Sequence, residues 1–127
     1  MSPGDAITLG SVNVEADDPV ALAAFWAQLL GGAVEGEHDG HVFVPAREPG
    51  GFAMFFRPRT GPRPERQGQH LDLTVPWGSR QEEVGRAVGL GATHRWDVLD
   101  EMPWVQWSTL SDPEGSHFCI AEHPPVG

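Results

Sequence analysis

A chain of 127 residues is the length of one ordinary domain, long enough to bury well over half of its unfolded surface without disulfides or metal staples. A formal charge of -10, from eight Arg, no Lys and 18 Asp plus Glu, argues against a nucleic-acid partner, whose phosphates are read by Lys and Arg. With Cys119 as its single cysteine it has no internal disulfide, and no apolar run reaches the roughly 18 residues of a membrane span.

The N-terminal MSPGDAITLG lacks a basic stretch followed by an apolar one, so a cytoplasmic location is expected. Ile7 to Ala16 reads as a strand, with Val12, Val14 and Ala16 on one face and Ser11, Asn13 and Glu15 on the other. Asp18 before Pro19 is a helix start, and Leu22, Phe25, Trp26, Leu29 and Leu30 form the apolar stripe of the helix that follows. Gly31 and Gly32 end it. Short strands are expected around Val34, over Val42 to Val44 and over Phe52 to Arg57, separated by Asp39-Gly40 and a turn region from Arg47 to Gly51.

An Arg-, Pro- and Gly-rich stretch from Arg57 to Gln69 reads as a linker. Beyond it, His70 to Val75 alternates again, with His70, Asp72 and Thr74 sharing one side. Ser79 with Glu82 forms a capping-box pattern for a second helix using Val84, Ala87 and Val88. Strands follow near His94, over Trp104 to Leu110 and over Ser116 to Glu122, with Asp112-Pro113-Glu114-Gly115 as a tight turn.

The two halves repeat each other. Ser11 and His70, Val12 and Leu71, Val14 and Leu73, Gly32 and Gly91, and Ala33 and Ala92 are each 59 residues apart. Past a small insertion, Pro49, Gly51, Met54 and Phe55 match Pro113, Gly115, Phe118 and Cys119 at a spacing of 64. The expected organisation is one domain over 1–127, with module one at 5–58, a linker at 59–68 and module two at 69–123.

Asp18-Pro19 followed by ALAAFWAQLLGG, QHLDLTV at 69–75 and LSDPEGSHFCIAEH at 110–123 together resemble the vicinal oxygen chelate superfamily, in its glyoxalase-like and bleomycin-resistance-like branch. The resemblance implies an α+β fold of two tandem βαβββ modules whose curved mixed sheets enclose a cavity, commonly in a homodimer. Metal-dependent members place one ligand on the first and one on the last strand of each module. Those positions fall at Ser11, Phe55, His70 and Cys119. Ser11 is a poor ligand and Phe55 none, and a His with a Cys leaves two donors where a divalent metal needs at least three protein groups and water. No metal or other cofactor is therefore expected.

His70 and Asp72 are the candidates for acid-base chemistry, set against a His simply satisfied by its neighbours. Cys119 should share the cavity face with His117 and Ala121, where a buried Cys is more often a small hydrophobe than a nucleophile. Five Trp and no Tyr offer wide apolar surfaces; Trp104 and Trp107, on opposite faces of one strand, should bring at least one indole into the cavity. Core packing is the commoner use of such residues.

The resulting expectation is a metal-independent protein that binds a small, aromatic organic molecule, as in drug or metabolite sequestration, with no nucleic-acid or membrane partner. Its ligand contacts would be Ser11, Asn13, Phe55, His70, Asp72, Thr74, Trp104, Trp107 and Cys119. The rivals are a glyoxalase-like lyase, isomerase or dioxygenase, a metal-free acid-base enzyme using His70 and Asp72, and an interaction module with a vestigial cavity.

Overall fold

The computed structural model describes residues 3–126, which divide into two compact units between Arg63 and Pro64. The first contains β1 (Ser11–Ala16), α1 (Pro19–Leu29), β2 (Gly36–His38), β3 (His41–Val44) and β4 (Ala53–Pro58). In the second are β5 (Leu71–Thr74), α2 (Arg80–Leu90), β6 (Thr93–Met102), β7 (Val105–Ser111) and β8 (His117–Glu122). Each unit is thus a βαβββ module, and the fold is α+β.

The two sheets have one topology. The first runs β1-β4-β3-β2 and the second β5-β8-β7-β6, each with a parallel pair joined to an antiparallel meander. The sequence repeat maps one parallel pair onto the other: Val12 opposite Met54 corresponds to Leu71 opposite Phe118, and Asn13 opposite Phe55 to Asp72 opposite Cys119. Around the helix ends the correspondence differs from the expected pairing of Gly32 with Gly91. Gly31 and Gly91 are the positive-φ residues, at 75° and 125°, so the equivalent glycines are 60 apart. In both places the following residue donates back to an alanine carbonyl, Gly32 to Ala27 and Ala92 to Ala87, which is the Schellman closure.

Helix α1 begins where Asp18 Oδ1 accepts the Ala21 amide at 3.1 Å and Pro19 presets the first turn. Leu22, Phe25, Trp26 and Leu29 are buried, with the Phe25 and Trp26 rings edge to face, and they cover Val42, Val44, Met54 and Phe56 of their own sheet. Arg47 donates to the Leu30 carbonyl at 3.0 Å, placing a cation at the helix C-terminus, where the dipole favours it.

Helix α2 starts differently from the expected capping box. Ser79 makes no side-chain cap and turns its hydroxyl to the Pro76 carbonyl. The Glu122 carboxylate on β8 instead accepts the Gly78 amide at 3.0 Å and the Arg80 amide at 3.1 Å. A tertiary anion at a helix N-terminus satisfies the same donors as a local cap.

Several strand limits differ from the sequence reading. Val34 lies outside any strand, since the short edge strand forms at Gly36–His38, and β1 begins only at Ser11, with just the Gly10 carbonyl before it accepting an amide, that of Ala53 on β4. Strand β7 begins at Val105, leaving Trp104 in the preceding turn. The 59–68 stretch is tied down at both ends. Arg59 donates to Asp17 at 3.0 Å, while the Gln67 side chain exchanges two hydrogen bonds with the backbone of His117, acting as a short extra rung beside β8. Among the described residues no helix is long and apolar enough to cross a membrane.

Candidate functional site

The sheet of the second unit has one face under α2 and one face bordering a hollow of about 610 Å³. Alternation along the strands divides the residues cleanly. Leu110, Phe118 and Ile120 are fully buried on the helix side with Val84 and Ala87 of α2. His70, Asp72 and Thr74 of the β5 segment line the hollow, with His117, Cys119 and Ala121 of β8 beside them. Strand β7 adds Val105, Trp107 and Thr109, and β6 adds Trp96, Val98 and Glu101. His123, just past β8, completes the wall.

The floor is polar at one point. Cys119 is buried beneath the exposed Asp72, its register partner, and its Sγ lies 3.4 Å from Thr109 Oγ1. Burial pushes the thiol pKa up and the Asp72 carboxylate pushes it further, with only the Thr109 hydrogen bond opposing. The thiol is thereby held protonated and is a weak nucleophile. His70 Nε2 lies 3.1 Å from Asp72 Oδ1, so the ring donates to the carboxylate at the rim. His123 Nδ1 lies 3.0 Å from the Trp104 carbonyl; a carbonyl can only accept, so in the neutral ring Nε2 is left with a lone pair.

Of the residues expected at a ligand site, His70, Asp72, Thr74, Trp107 and Cys119 meet on this face. Trp104 does not. It is 62% exposed in the turn before β7, and only its backbone carbonyl takes part, as the partner of His123. Its expected place on the strand fails because β7 begins one residue later. Ser11, Asn13 and Phe55 belong to the first unit, where Asn13 and Phe55 are register partners and the Phe55 ring packs on Phe43 with centroids 4.7 Å apart.

Trp96 and Glu101 reach the site against the simple alternation of the sequence, and the cause is the irregular pairing of β6. His94 pairs with Leu110 and Trp96 with Thr109, leaving Arg95 as an extra residue. Strict alternation from His94 would have put Arg95 opposite Thr109 and turned Trp96 to the helix side. The bulge reverses this. Trp96 packs edge to face with His117 at 5.6 Å, and Arg95 Nε bonds Ser111 Oγ at 2.8 Å. A second irregularity, between Val98 and Met102, accompanies Glu101 at the hollow. Val105, Thr109 and His123 follow from simple alternation with Trp107 and Cys119.

On the opposite face Arg80, 5% exposed, lies 3.4 Å from both Asp97 and Glu122 and donates to Ser108 Oγ. Ser108 passes a hydrogen bond on to Asp97 at 2.6 Å, and His94 meets the same carboxylate oxygen at 2.7 Å. This network ties α2 to the sheet, behind the hollow.

A βαβββ repeat with this strand order and a site on one sheet face has a matching family model, the glyoxalase-like domain, aligned over residues 11–121. The chain belongs to that glyoxalase-like family. It is accordingly a member of the vicinal oxygen chelate superfamily. Among solved structures this glyoxalase-like chain resembles a glyoxalase/bleomycin resistance protein/dioxygenase family enzyme from Burkholderia phytofirmans PsJN, at a TM-score of 0.76 and 20% identity over 93% of this chain and 100% of that one. It is also similar to oxidase ChaP-H1, with a TM-score of 0.68 and 24% identity over 96% of this chain and 100% of the other. A glyoxalase/bleomycin resistance protein from Albidiferax ferrireducens T118 gives 0.69 and 18% over 91% and 98%. No protein of curated function matches the sequence.

The metal-ligand positions implied by the glyoxalase-like resemblance fit poorly in the first unit, where Phe55 presents only carbon. The second unit offers more than the two donors expected from sequence. His70, Asp72 and Cys119 bring a nitrogen, an oxygen and a sulfur within 4.8 Å of one another. Asp72 supplies the third because it shares a strand face with His70 and a register position with Cys119. The number suffices for an open site, but the thiol must first lose a proton that its surroundings hold.

Proposed function

We propose that this glyoxalase-like protein binds a small, planar aromatic molecule in the hollow of its second unit, without a metal, and thereby sequesters it. One observation carries the reading: the hollow of about 610 Å³ is walled by Trp96 and Trp107 with a few polar groups, the make-up of a small-molecule site. Indoles supply stacking area, and His70, Asp72, Thr74 and Thr109 supply hydrogen bonds that orient the ligand. Sequestration needs only this burial.

Titration with planar aromatic compounds, followed by Trp emission and melting temperature, tests it. Trp107→Leu should weaken binding by roughly tenfold or more, and Trp104→Leu should leave it unchanged. Equal effects at the two positions would reject this hollow as the site. The protein should also be a homodimer at micromolar concentration, with the two-fold contact usual for small homo-oligomers, which light scattering checks.

A second reading is favoured by the cluster of His70, Asp72 and Cys119: a metal-dependent or acid-base enzyme of the lyase, isomerase or dioxygenase kind. His70 and Asp72 would hold and move a proton at the His70 ring, and a bound divalent ion would supply Lewis acidity. Cobalt(II) titration separates the two. A thiolate-to-cobalt charge-transfer band, lost in Cys119→Ser, supports the metalloenzyme; turnover lost in His70→Ala with affinity retained supports the acid-base catalyst.

A further inference from the structure

We propose that the hollow selects a planar aromatic cation that carries N–H donors, such as a protonated amino-heteroaromatic. This rests on the reading of the hollow as a small-molecule site and names the ligand class. Three observations converge on it.

The charge of the lining has one fixed sign. Asp72 and Glu101 border the hollow, and no Lys or Arg is among its lining residues. Cations are present in the same unit but held elsewhere. Arg80 is buried on the helix side with Asp97, Ser108 and Glu122. Arg95 would fall opposite Thr109 in a regular ladder, and the bulge in β6 removes it from that position in favour of Trp96. Arg95 donates to Ser111 Oγ and is not among the residues that line the hollow.

The hydrogen-bonding groups are rich in acceptors. The carboxylates of Asp72 and Glu101 accept only, and the His123 ring, when neutral with its Nδ1 hydrogen on the Trp104 carbonyl, presents Nε2 as an acceptor. A ligand bearing N–H groups matches these, and the two carboxylates repel a ligand that bears a carboxylate of its own. Trp96 and Trp107 provide the faces over which a flat cation is attracted by the ring quadrupole as well as by burial. Aromatic walls and carboxylates act together on such a ligand and oppose each other on an anion.

Three tricyclic probes of one size test the proposal by calorimetry on the full chain at pH 8: 9-aminoacridine as the cation, acridine as the neutral form and anthracene-9-carboxylate as the anion. The cation should bind about tenfold or more tightly than acridine, with the anion weakest. Asp72→Asn and Glu101→Gln should each shrink the preference severalfold. Glu82→Gln, which removes the same charge from an exposed position on α2, should leave it unchanged. Acridine binding as tightly as 9-aminoacridine, or a preference indifferent to Asp72 and Glu101, overturns the cation inference and leaves the small-molecule reading standing. Failure of all three probes to bind overturns both.

Discussion

Asp72 and Cys119 face each other across the parallel β5–β8 pair, at the register position that Asn13 and Phe55 hold in the first unit. One ancestral position has become an acid over a thiol in one unit and an amide beside an aromatic ring in the other. The neighbouring strand follows suit: Phe43 packs on Phe55 where Thr109 bonds Cys119. The second unit alone therefore carries ionisable chemistry at this point of the repeat.

The thiol tests this arrangement directly. Burial and the Asp72 charge both raise its pKa and Thr109 lowers it, so Asp72→Asn should increase the thiolate fraction at pH 8 and Thr109→Val should decrease it. Alkylation by iodoacetamide, followed by mass spectrometry against pH, should run severalfold faster in the first variant and slower in the second. An Asp72→Asn protein that reacts no faster than the parent would mean that the carboxylate does not act on the sulfur.

Much of this was legible in the sequence because a repeat constrains register. The spacings of 59 and 64 that align Val12 with Leu71 and Met54 with Phe118 also align the strand pairs that those residues form. Period-two alternation then put His70, Asp72, Thr74 and Cys119 on one face. What stayed hidden depended on backbone irregularity or on tertiary partners. The bulge at Arg95 costs one residue and leaves no turn signature, since neither Gly nor Pro marks it. Ser79 with Glu82 satisfies the local pattern of a capping box, yet Glu122, 43 positions along from Ser79, takes the role.

That carboxylate is the basis of a stability prediction. Glu122 caps α2 and lies 3.4 Å from Arg80, both nearly buried. Glu122→Ala removes the cap and strips a buried guanidinium of one partner, a loss of about 3–5 kcal/mol. Glu122→Gln keeps an oxygen for the two amides and should cost clearly less. Urea denaturation distinguishes them, and equal losses would assign the whole effect to charge.

Asp97 makes the acid side of the stability curve predictable. The Ser108 hydrogen bond, then His94 and Arg80, outweigh desolvation and hold its carboxyl below the ordinary 3.8. A depressed folded pKa contributes stability that is present above 3.8 and disappears as pH falls through the folded value. Asp97→Asn should therefore lose roughly 1 kcal/mol at neutral pH, the worth of one hydrogen bond, with the gap to the parent closing at acid pH. A gap that is constant from pH 7 to pH 3 would show that ionisation of Asp97 is not coupled to folding.

The bulge in β6 gives the last prediction. Because Arg95 is the residue without a partner on β7, deleting it joins His94, opposite Leu110, directly to Trp96, opposite Thr109. Alternation is then regular without any side chain changing face. The deletion should fold, lose about 1 kcal/mol with the Arg95 to Ser111 hydrogen bond, and keep ligand affinity within about twofold. Inserting one residue between His94 and Arg95 displaces Trp96 instead: a regular ladder then carries it two positions along β7, from opposite Thr109 to opposite Trp107, and a retained bulge grows by one residue. That variant should lose Trp-detected binding. If the deletion abolishes binding in a folded protein while the insertion preserves it, Trp96 reaches the hollow by some route other than the bulge.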